Sequence, residues 1–437
     1  MSDTFVIALI GAAVSAVTMI PFIRHKRSLE RRTANAEIVA EKYGLKEPAS
    51  LHPVIDPGIC IGTGSCLADV CPEHDVLGLS SGVATVVSPA RCIGHGLCER
   101  ACPVGAIKLV FGTESRGVDI PRIDSNFETN VPGMFIVGEL GGMGLIRNAF
   151  EQGRQCIEWI ARHKVSAPPG VLDVLIVGCG PAGLSASINC IHHGLKFKTI
   201  EREEIGGTVR TYPRKKLVMT APLKIPGYGK LAVREIQKED LVSIWDGIIE
   251  KTGLEVQTNE VVNAVGRRPD GTFEVITNKG EYLAKRVVLA IGRRGVPRKL
   301  GIEGETLEKV AYSLREPEAY QGDRIVVVGG GDSAVEAAIA LADQPGNKVS
   351  LSYRKDRFSR IKQGNHIRIH EAIEKKKVSF LPNSTLTAIH QEQVAVDFSG
   401  DVKSMPNDYV FIFAGGVLPT PFLESCGIAI DTKFGQA

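Results

Sequence analysis

The sequence predicts an α/β protein in which two units each begin with a strand, a glycine-rich loop and a helix. They are accompanied by a small cysteine-rich α+β module and an apolar N-terminal helix. Glycine loops occur at 177–183 (VGCGPAG) and at 328–334 (VGGGDSA), and six of the ten cysteines lie between positions 60 and 102. With 43% apolar and 23% charged residues, the 437-residue chain can form about two to four globular domains.

The N-terminal stretch predicts a membrane anchor. Residues 4–23, TFVIALIGAAVSAVTMIPFI, carry no charge, and a helix of this length spans the ~30 Å core of a bilayer. RHKR follows at 24–27, which by the positive-inside rule places the remainder in the cytoplasm. A signal peptide would carry its positive charge before the apolar run. We therefore expect a single-pass inner-membrane protein in contact with lipid, with a charged stalk over 28–47 and a cytoplasmic catalytic part.

The cysteine-rich stretch contains two similar runs. DPGICIGTGSCLADVCP at 56–72 is followed by ARCIGHGLCERACPVGAIKLV at 90–110. The crowded spacing favours iron–sulfur clusters over disulfides, because thiolates are soft anionic ligands and nucleotide-binding loops indicate a reducing compartment. The stretch resembles a bacterial two-cluster ferredoxin, whose runs read C-x2-C-x2-C-x3-C-P, with the last cysteine of each run binding the other cluster.

This resemblance implies two ligand sets, from which the sequence departs at two positions. The implied ligands are Cys60, Cys66 and Cys102 for one cluster and Cys92, Cys98 and Cys71 for the other. Thr63 stands where the first run should have its second cysteine, and His95 stands there in the second run. We expect no ligation by Thr63 and hence a [3Fe–4S] cluster in the first set. His95 is either a fourth ligand or part of a solvated loop, and the choice between [4Fe–4S] and [3Fe–4S] stays open for the second set.

The first glycine loop lies in VLDVLIVGCGPAGLSASINCIHHGLKFKTIERE (171–203), which predicts a strand, loop, helix and strand ending in an acid. Such a Rossmann-like unit uses its glycines for a tight turn, for close approach to a pyrophosphate and for helix–strand contact, while the acid suits a ribose hydroxyl. The predicted cofactor contacts are Gly178, Gly180, Pro181, Ala182, Gly183 and Glu201.

The second loop lies in RIVVVGGGDSAVEAAIALADQPGNKVSLSYRKDRFSR (324–360). Here the second strand ends in Arg354 and Lys355 instead of an acid. A carboxylate would repel a 2′-phosphate, whereas a guanidinium can bind it. These residues, with Arg360, therefore favour NADPH over NADH, and a plain basic surface loop is the alternative. The predicted contacts in the loop are Gly329, Gly331, Asp332, Ser333 and Ala334.

Residues 116–437 resemble the thioredoxin-reductase-like flavoproteins, which have two dinucleotide domains. LAIGRRGVP (289–297) matches the first crossover between the domains, YVFIFAGGVLPTPFLESCGIAID (409–431) matches the return, and GGTVRTYP (206–213) matches the stretch beside the flavin ring. The resemblance implies FAD in the first domain and NADPH in the second. Further implied flavin contacts are Gly206, Gly207, Thr208 and Gly292.

One segment of that resemblance is out of order. TNVPGMFIVGELGGMG (129–144) matches the T-x-x-P-G-x-F-x-x-G-D stretch that ends the FAD domain of the family, yet it precedes the glycine loop. The resemblance thus implies a circular permutation of that domain. The implied flavin contacts here are Gly138, Glu139, Gly142 and Met143. The expected division of the chain is 1–24 anchor, 25–55 stalk, 56–115 ferredoxin-like module, 116–168 permuted segment, 169–295 FAD domain, 296–408 NAD(P)H domain and 409–437 return into the FAD domain.

One feature of the family is missing. Thioredoxin reductases carry a C-x-x-C pair just before the second glycine loop, but AYSLREPEAYQGD (311–323) contains no cysteine. The layout is closer to thioredoxin-reductase-like ferredoxin–NADP reductases and to bacillithiol disulfide reductases. Cys179 is the one candidate redox thiol, although a small residue is usual at that position. Three further cysteines fall on apolar faces and are expected in the core: Cys156, Cys190 and Cys426.

These observations predict a membrane-tethered NAD(P)H-dependent flavin and iron–sulfur oxidoreductase. It would pass electrons between NADPH, FAD and two clusters, to or from a ferredoxin, another electron-transfer protein or a membrane redox carrier. The alternatives are a disulfide reductase and a redox-sensing or electron-transfer subunit without nicotinamide turnover. Hydride transfer requires no side-chain acid or base. A homodimer stays open, and the net charge of +3 gives no indication of nucleic-acid binding.

Overall fold

A computed structural model divides the chain into two compact units. The first comprises Met1–Gly117, Phe358–Gln363 and Phe434–Ala437, and the second comprises Val118–Arg357 and Gly364–Lys433. The structure describes residues 3–42, 45–46, 48, 51–67, 70–71, 73, 75–92, 94–114, 117–142, 144–212, 214, 216–219, 223–226, 229–231, 235–293, 295–358, 361 and 363–435.

The first unit holds the cysteine module. In chain order its elements are α1 (Asp3–Lys42), β1 (His52–Ile55), β2 (Leu77–Ser80), β3 (Val83–Val86), α2 (Leu97–Ala101) and β4 (Ile107–Val110). Two antiparallel pairs, β1 with β4 and β2 with β3, frame the cysteine loops. Apolar residues of these short strands, among them Leu77, Leu79 and Ile107, pack in one cluster with the cysteines.

The structure corrects the membrane prediction. Residues 4–23 are the first half of one continuous 40-residue helix, which runs on through the charged residues expected to form a stalk. Across the part of the chain that the structure describes, no helix is long and apolar enough to cross a bilayer. The prediction of a single-pass inner-membrane protein that contacts lipid through residues 4–23 is therefore wrong.

The second unit begins with the elements of a first α/β domain. They are β5 (Val118–Pro121), β6 (Met134–Ile136), α3 (Ile146–Arg162), β7 (Leu172–Val177), α4 (Pro181–His192), β8 (Phe197–Ile200), β9 (Leu217–Met219), β10 (Leu223–Ile225), β11 (Gly229–Leu231), β12 (Glu235–Gln237), α5 (Lys238–Thr252), β13 (Val256–Gln257), β14 (Val262–Arg267), β15 (Phe273–Thr277) and β16 (Glu281–Leu289). Seven of these strands form one sheet in the order β13-β8-β7-β16-β15-β14, with β6 also paired to β16.

The second unit continues with a second α/β domain and the end of the chain. Its elements are β17 (Val296–Pro297), β18 (Val310–Ala311), β19 (Arg324–Val328), α6 (Asp332–Ala342), β20 (Lys348–Ser352), α7 (Gln363–Glu374), β21 (Val378–Leu381), β22 (Ser384–Ile389), β23 (Gln393–Phe398), β24 (Asp401–Pro406), β25 (Tyr409–Ile412), β26 (Gly416–Val417), α8 (Thr420–Ser425) and β27 (Ile430–Lys433). Five strands form a sheet in the order β18-β25-β19-β20-β21, and all its neighbours are parallel.

Both sheets follow from the sequence pattern. The strands β7 and β19 are almost uninterrupted runs of Val, Ile and Leu, as expected for parallel strands that are covered on both faces. On the first sheet, α3 packs against α4 and α4 packs against β7, and the enclosed core includes the fully buried Phe135, Ile157 and Ile176. The fold class of two Rossmann-like units and a small cysteine module is thus the one predicted.

Candidate cofactor sites and cysteine module

The first glycine loop turns tightly between β7 and α4. Gly178 follows the strand with a φ of +96°, a backbone conformation that favours glycine. A Cβ on Gly183 would lie 1.9 Å from the carbonyl oxygen of Gly178, so the helix begins in direct contact with the strand end. A Cβ on Gly180, by contrast, would meet nothing within 4 Å. The open space at the N-terminus of α4, beside Pro181, fits a pyrophosphate.

Glu201 is fixed against this loop. It follows β8 directly and is 9% exposed. Its Oε2 accepts the backbone N–H of Cys179 at 2.6 Å, and its Oε1 accepts the N–H of Glu203 at 2.9 Å. The N–H of Gly206 donates to the carbonyl of Cys179 at 2.8 Å, which brings the turn Gly207–Val209, including Thr208, to the same place. The structure therefore assembles the glycine loop, the acid and the 206–208 stretch, as an FAD site requires.

The out-of-order segment reaches the same edge of the sheet. The strand β6 runs parallel to β16, and the N–H of Val137 donates to the carbonyl of Leu289 at 3.1 Å. A Cβ on Gly138 would lie 3.0 Å from the Cβ of Ala182, in the first turn of α4. Glu139–Gly141 then forms a short turn that ends at Gly142. Met143 lies outside the described residues.

Gly292 completes the set of predicted flavin contacts. It follows the end of β16, and the strand is parallel to β7, so both strands end at one edge of the sheet. The two strand ends lie close together, because a Cβ on Gly178, just after β7, would lie 2.6 Å from the carbonyl oxygen of Ala290, just after β16. Gly292 itself has open space around its Cα, because a Cβ there would meet nothing within 4 Å.

The second glycine loop repeats this arrangement between β19 and α6. Gly329 follows the strand, and a Cβ on Gly331 would meet nothing within 4 Å. Asp332 is the first residue of α6, Ser333 follows it, and Ala334 is fully buried beneath the loop. The open N-terminus of α6 is again the place where a dinucleotide phosphate fits.

The residues predicted to read the 2′-phosphate follow β20. Tyr353 precedes them, and its ring lies so close to the glycine loop that a Cβ on Gly330 would be 2.2 Å from a ring atom. Arg354 is exposed and Lys355 is half-buried. Among the described residues, neither side chain has an acidic partner. Two cations beside this loop that form no ion pair within the described residues are suited to a phosphate group; Arg360 lies outside the described residues.

A polar chain that the sequence did not predict joins the two nucleotide domains. Lys216, just before β9, donates from Nζ to Oε2 of Glu336 on α6 at 2.9 Å and lies 4.6 Å from the ring centre of Tyr212. Asn365 on α7 donates from Nδ2 to Oε1 of the same glutamate at 3.0 Å and to Oδ1 of Asp332 at 2.7 Å. No motif marks these positions, because their partners lie far away in the chain.

The six cysteines of the module share one hydrophobic cluster and form no disulfide. They are Cys60, Cys66, Cys71, Cys92, Cys98 and Cys102. Three of the sulfur atoms accept backbone N–H groups: Cys60 from Ala84 at 3.3 Å, Cys92 from Gly94 at 3.4 Å and Cys102 from Ala106 at 3.2 Å. Hydrogen bonds to sulfur are among the interactions that tune iron–sulfur clusters. Within the described part of the chain, no three such side chains are placed to hold a single metal ion.

The protonation of these thiols reflects two overlapping groups. Burial raises the pKa of Cys66 to about 11, with a further contribution from nearby thiols, namely Cys60, Cys98 and Cys102. Burial likewise raises the pKa of Cys92 to about 11, with contributions from Cys98 and Cys71. Bound iron would have to displace these protons. Cys98 contributes in both cases, so the thiols form one connected group.

The two substituted positions differ in their surroundings. Thr63 is exposed, and its Oγ1 lies 3.0 Å from Oγ of Ser65, whose backbone N–H also points to it. The hydroxyl is therefore engaged within its own loop. His95 is half-buried, and burial lowers the pKa of its imidazole. A neutral imidazole is the form that binds metals.

Comparison with known proteins agrees with this geometry. A model of the pyridine nucleotide-disulphide oxidoreductase family matches residues 175–435, more than half of the chain. The chain belongs to that family. A second model, the 4Fe-4S dicluster domain, matches residues 52–103 of this oxidoreductase. The protein is therefore an NAD(P)H-dependent flavin oxidoreductase with an iron–sulfur region.

Several relatives carry a more specific name. Ferredoxin–NADP reductase of Ignicoccus hospitalis is 34% identical over 187 residues, which is 43% of this oxidoreductase and 57% of the relative. Ferredoxin–NADP reductase 1 of Bacillus licheniformis is 30% identical, and the match covers 58% of this chain and 73% of the relative. Among solved structures, bacillithiol disulfide reductase Bdr of Staphylococcus aureus has a TM-score of 0.51 and 26% identity, over 60% of this chain and 81% of that one.

The remaining cysteines of this oxidoreductase are core residues. Cys156 and Cys190 are fully buried and Cys426 is 8% exposed, which confirms the prediction for all three. Cys179 is also fully buried, inside the glycine loop. Burial raises the pKa of its thiol well above the ordinary range. A thiol in that environment is a poor nucleophile, because the thiolate is the reactive form.

Proposed function

We propose that this protein exchanges electrons between NADPH and a ferredoxin-like electron-transfer protein through FAD and two iron–sulfur clusters. The observation that carries the proposal is the presence, in one chain, of two open glycine-loop sites and of a module with six free, clustered cysteines. Ferredoxin–NADP reductases among the relatives support the nucleotide part. When bound, FAD would accept hydride from the nicotinamide and release electrons one at a time.

The residues of the chain would bind FAD and NADPH and orient them. The N-terminus of α4 and Glu201 would hold FAD, and the N-terminus of α6 would hold the NADPH pyrophosphate. Arg354 and Lys355 would select NADPH through its 2′-phosphate, since within the described part of the chain neither forms an ion pair with a carboxylate. Lys216 and Glu336 join the nucleotide domains and would fix the nicotinamide relative to the flavin.

We also propose that the FAD domain is circularly permuted. Support comes from the pairing of β5, near the start of the displaced segment, with β27, at the end of the domain. Asp431 of β27 accepts hydrogen bonds from Arg122, at 2.7 Å for the shorter one. Asn130 binds the stretch before β27: its Nδ2 donates to the carbonyl of Gly427 at 2.9 Å, and its Oδ1 accepts the N–H of Ala429 at 2.8 Å. A connection from β27 into the segment at 122–130 would therefore be short, which is what a permutation requires.

For the module, we propose the ligand sets that the ferredoxin pattern implies. Cys60, Cys66 and Cys102 would hold a cluster with three thiolates, because the hydroxyl of Thr63 is turned into its own loop. Cys71, Cys92 and Cys98 would hold the other, with His95 as the candidate fourth ligand. The six free thiols and their N–H···S bonds fit such groups.

The deciding experiment is an anaerobic titration of the purified full-length protein with NADPH, followed by visible absorption and low-temperature EPR. We expect bleaching of the flavin and then a change in the EPR signals of the clusters. Reduction of ferredoxin added to the same mixture would complete the proposed path of electrons from NADPH to ferredoxin. A flavin that bleaches while every cluster signal stays unchanged would contradict the proposal.

A disulfide reductase is the second candidate. The likeness to bacillithiol disulfide reductase Bdr and to bacilliredoxin reductase Bdr of Bacillus subtilis favours it. The burial of Cys179 argues against a thiol relay at that position. NADPH oxidation driven by bacillithiol disulfide, abolished in Cys179→Ser and retained in Cys190→Ser, would support this candidate over the first.

A further inference from the structure

The second half of α1 is built into the cysteine module. Thr33 is 5% exposed and lies against β2. Its Oγ1 donates to the carbonyl of Leu29 at 2.9 Å and accepts the backbone N–H of Leu79 at 2.9 Å. A Cβ on Gly78 would lie 2.5 Å from atoms of the Thr33 side chain, so only glycine admits the helix at this distance. A charged stalk separate from the module would not pack this closely against a strand.

The same helix face reaches the cysteines. Leu29 packs against the hydrophobic cluster that contains the module's sulfur atoms. A small crevice lies where α1 meets the module, and both Leu29 and Cys71 line it. The thiol of Cys71 donates to the carbonyl of Glu73 at 3.2 Å. The helix therefore lies over the side of the module that presents Cys71.

An ion-pair bridge holds the helix in this place. Asp75 accepts from Arg91 at 3.1 Å and lies 3.5 Å from Nε of Arg32, which α1 contributes. The Arg91 side chain is only 5% exposed and immediately precedes Cys92. Further along, Ala36 and Ala40 of the helix are buried in a small apolar cluster of their own. Polar and apolar contacts thus dock about three turns of α1.

We propose that the docked part of α1, from Leu29 to Ala40, is a cover that sets the reduction potential of the cluster held by Cys71, Cys92 and Cys98. This rests on the proposed iron–sulfur function. The reduced cluster is more negatively charged than the oxidised one, and solvent exposure and charge determine its potential. Excluding water with Leu29 disfavours the reduced form and lowers the potential. Leu29 and Gly78 are positioning residues that act through this exclusion.

The test uses the full-length protein in three variants. Leu29→Ala shortens the side chain over the module, and Gly78→Ala inserts a methyl group where Thr33 lies. Ile38→Ala is the control, because Ile38 is on the same helix but 67% exposed. An EPR-monitored redox titration should show a positive shift of one cluster's midpoint potential in Leu29→Ala and Gly78→Ala, with the other cluster unchanged and no shift in Ile38→Ala.

Unchanged potentials in both test variants, or equal shifts of both clusters, would overturn the proposal. A second measurement separates it from the proposed function. In the cluster-free protein, alkylation of Cys71, mapped by mass spectrometry, should be several-fold faster in Leu29→Ala than in the wild type, and alkylation of Cys102 should not change. A wild type without any cluster signal would count against the proposed function alone, and an unchanged alkylation rate of Cys71 would reject the cover.

Discussion

Lys216 and Glu336 are joined across the two nucleotide domains by a hydrogen-bonded ion pair of 2.9 Å between Nζ and Oε2. Both side chains are mostly buried, with 28% and 23% exposure. Glu336 lies on α6 one turn after the second glycine loop, and Asn365 ties it to Asp332 at the start of that helix. In the proposed function, the pair would couple the NADPH site at α6 to the domain that would carry FAD.

Removing this pair should slow flavin reduction. Lys216→Met leaves Glu336 without its cation, and we expect the rate of flavin bleaching by NADPH to fall several-fold, in line with ~1 kcal/mol for a partly exposed pair. Stopped-flow absorption at saturating NADPH measures this rate. Lys216→Arg, which keeps the charge, should retain most of it. Equal rates in Lys216→Met and the wild type would show that the ion pair does not position the domains.

The coenzyme preference should depend on Arg354. Replacing it by Gln removes a charge-assisted hydrogen bond to the 2′-phosphate, which is worth about 1.5–3 kcal/mol, or roughly ten-fold or more in binding. We therefore expect a KM for NADPH at least about ten-fold higher and a KM for NADH that is unchanged. Arg357→Gln is the matched control, since Arg357 is an exposed cation in the same loop. A parallel rise in both KM values would contradict a role in reading the phosphate.

Thr63 should decide the composition of one cluster. A cysteine at this position supplies the missing thiolate, so Thr63→Cys should convert a [3Fe–4S] EPR signal of the oxidised protein into a [4Fe–4S] signal of the reduced protein. Thr63→Val removes the hydroxyl without adding a ligand and should leave the wild-type spectrum. If Thr63→Val changes the spectrum as Thr63→Cys does, the hydroxyl itself is a ligand and the three-thiolate assignment fails.

The pair of Arg324 and Asp408 should make part of the stability depend on pH. Hydrogen bonds from Arg324 lower the pKa of Asp408 from 3.8 to about 2. Because the folded-state pKa is lower than the unfolded one, the contribution is complete above about pH 4 and is lost as the pH falls towards 2. Thermal unfolding of Asp408→Asn should therefore show a lower Tm than the wild type at pH 7.

The difference in Tm between Asp408→Asn and the wild type should shrink as the pH falls from 4 to 2. Asp401→Asn is a suitable control, because Asp401 is an exposed residue on the neighbouring hairpin. A difference in Tm that stays constant over this pH range would mean that the carboxylate charge of Asp408 does not contribute.

Local patterns predicted much of the fold and of the nucleotide sites. Strand, glycine loop and helix recur at 171–203 and 324–360, and the structure has both units, with open space at Gly180 and Gly331. The motif at 129–144 was recognisable because it is short and continuous. These features depend on neighbours in the chain, since tight turns, helix starts and parallel strands are encoded by adjacent residues.

Other features could not be seen in this way. The bond between Lys216 and Glu336 spans 120 positions, and neither residue belongs to a motif. The apolar run at 4–23 suggested a separate anchor and a stalk, because hydropathy is read over a local window. It cannot show that the helix continues and that Thr33 meets Gly78 of a distant strand.

The sequence by itself determined the fold class, the two glycine-loop units, the cysteine module and the motif at 129–144, since each is written in residues that are close in the chain. Only the tertiary structure decided that α1 belongs to the cysteine module, that Cys179 is sealed in the core and that Lys216 links the two nucleotide domains. The physical reason is that burial and long-range hydrogen bonds depend on contacts between residues far apart in the sequence. These contacts form only when the whole chain folds.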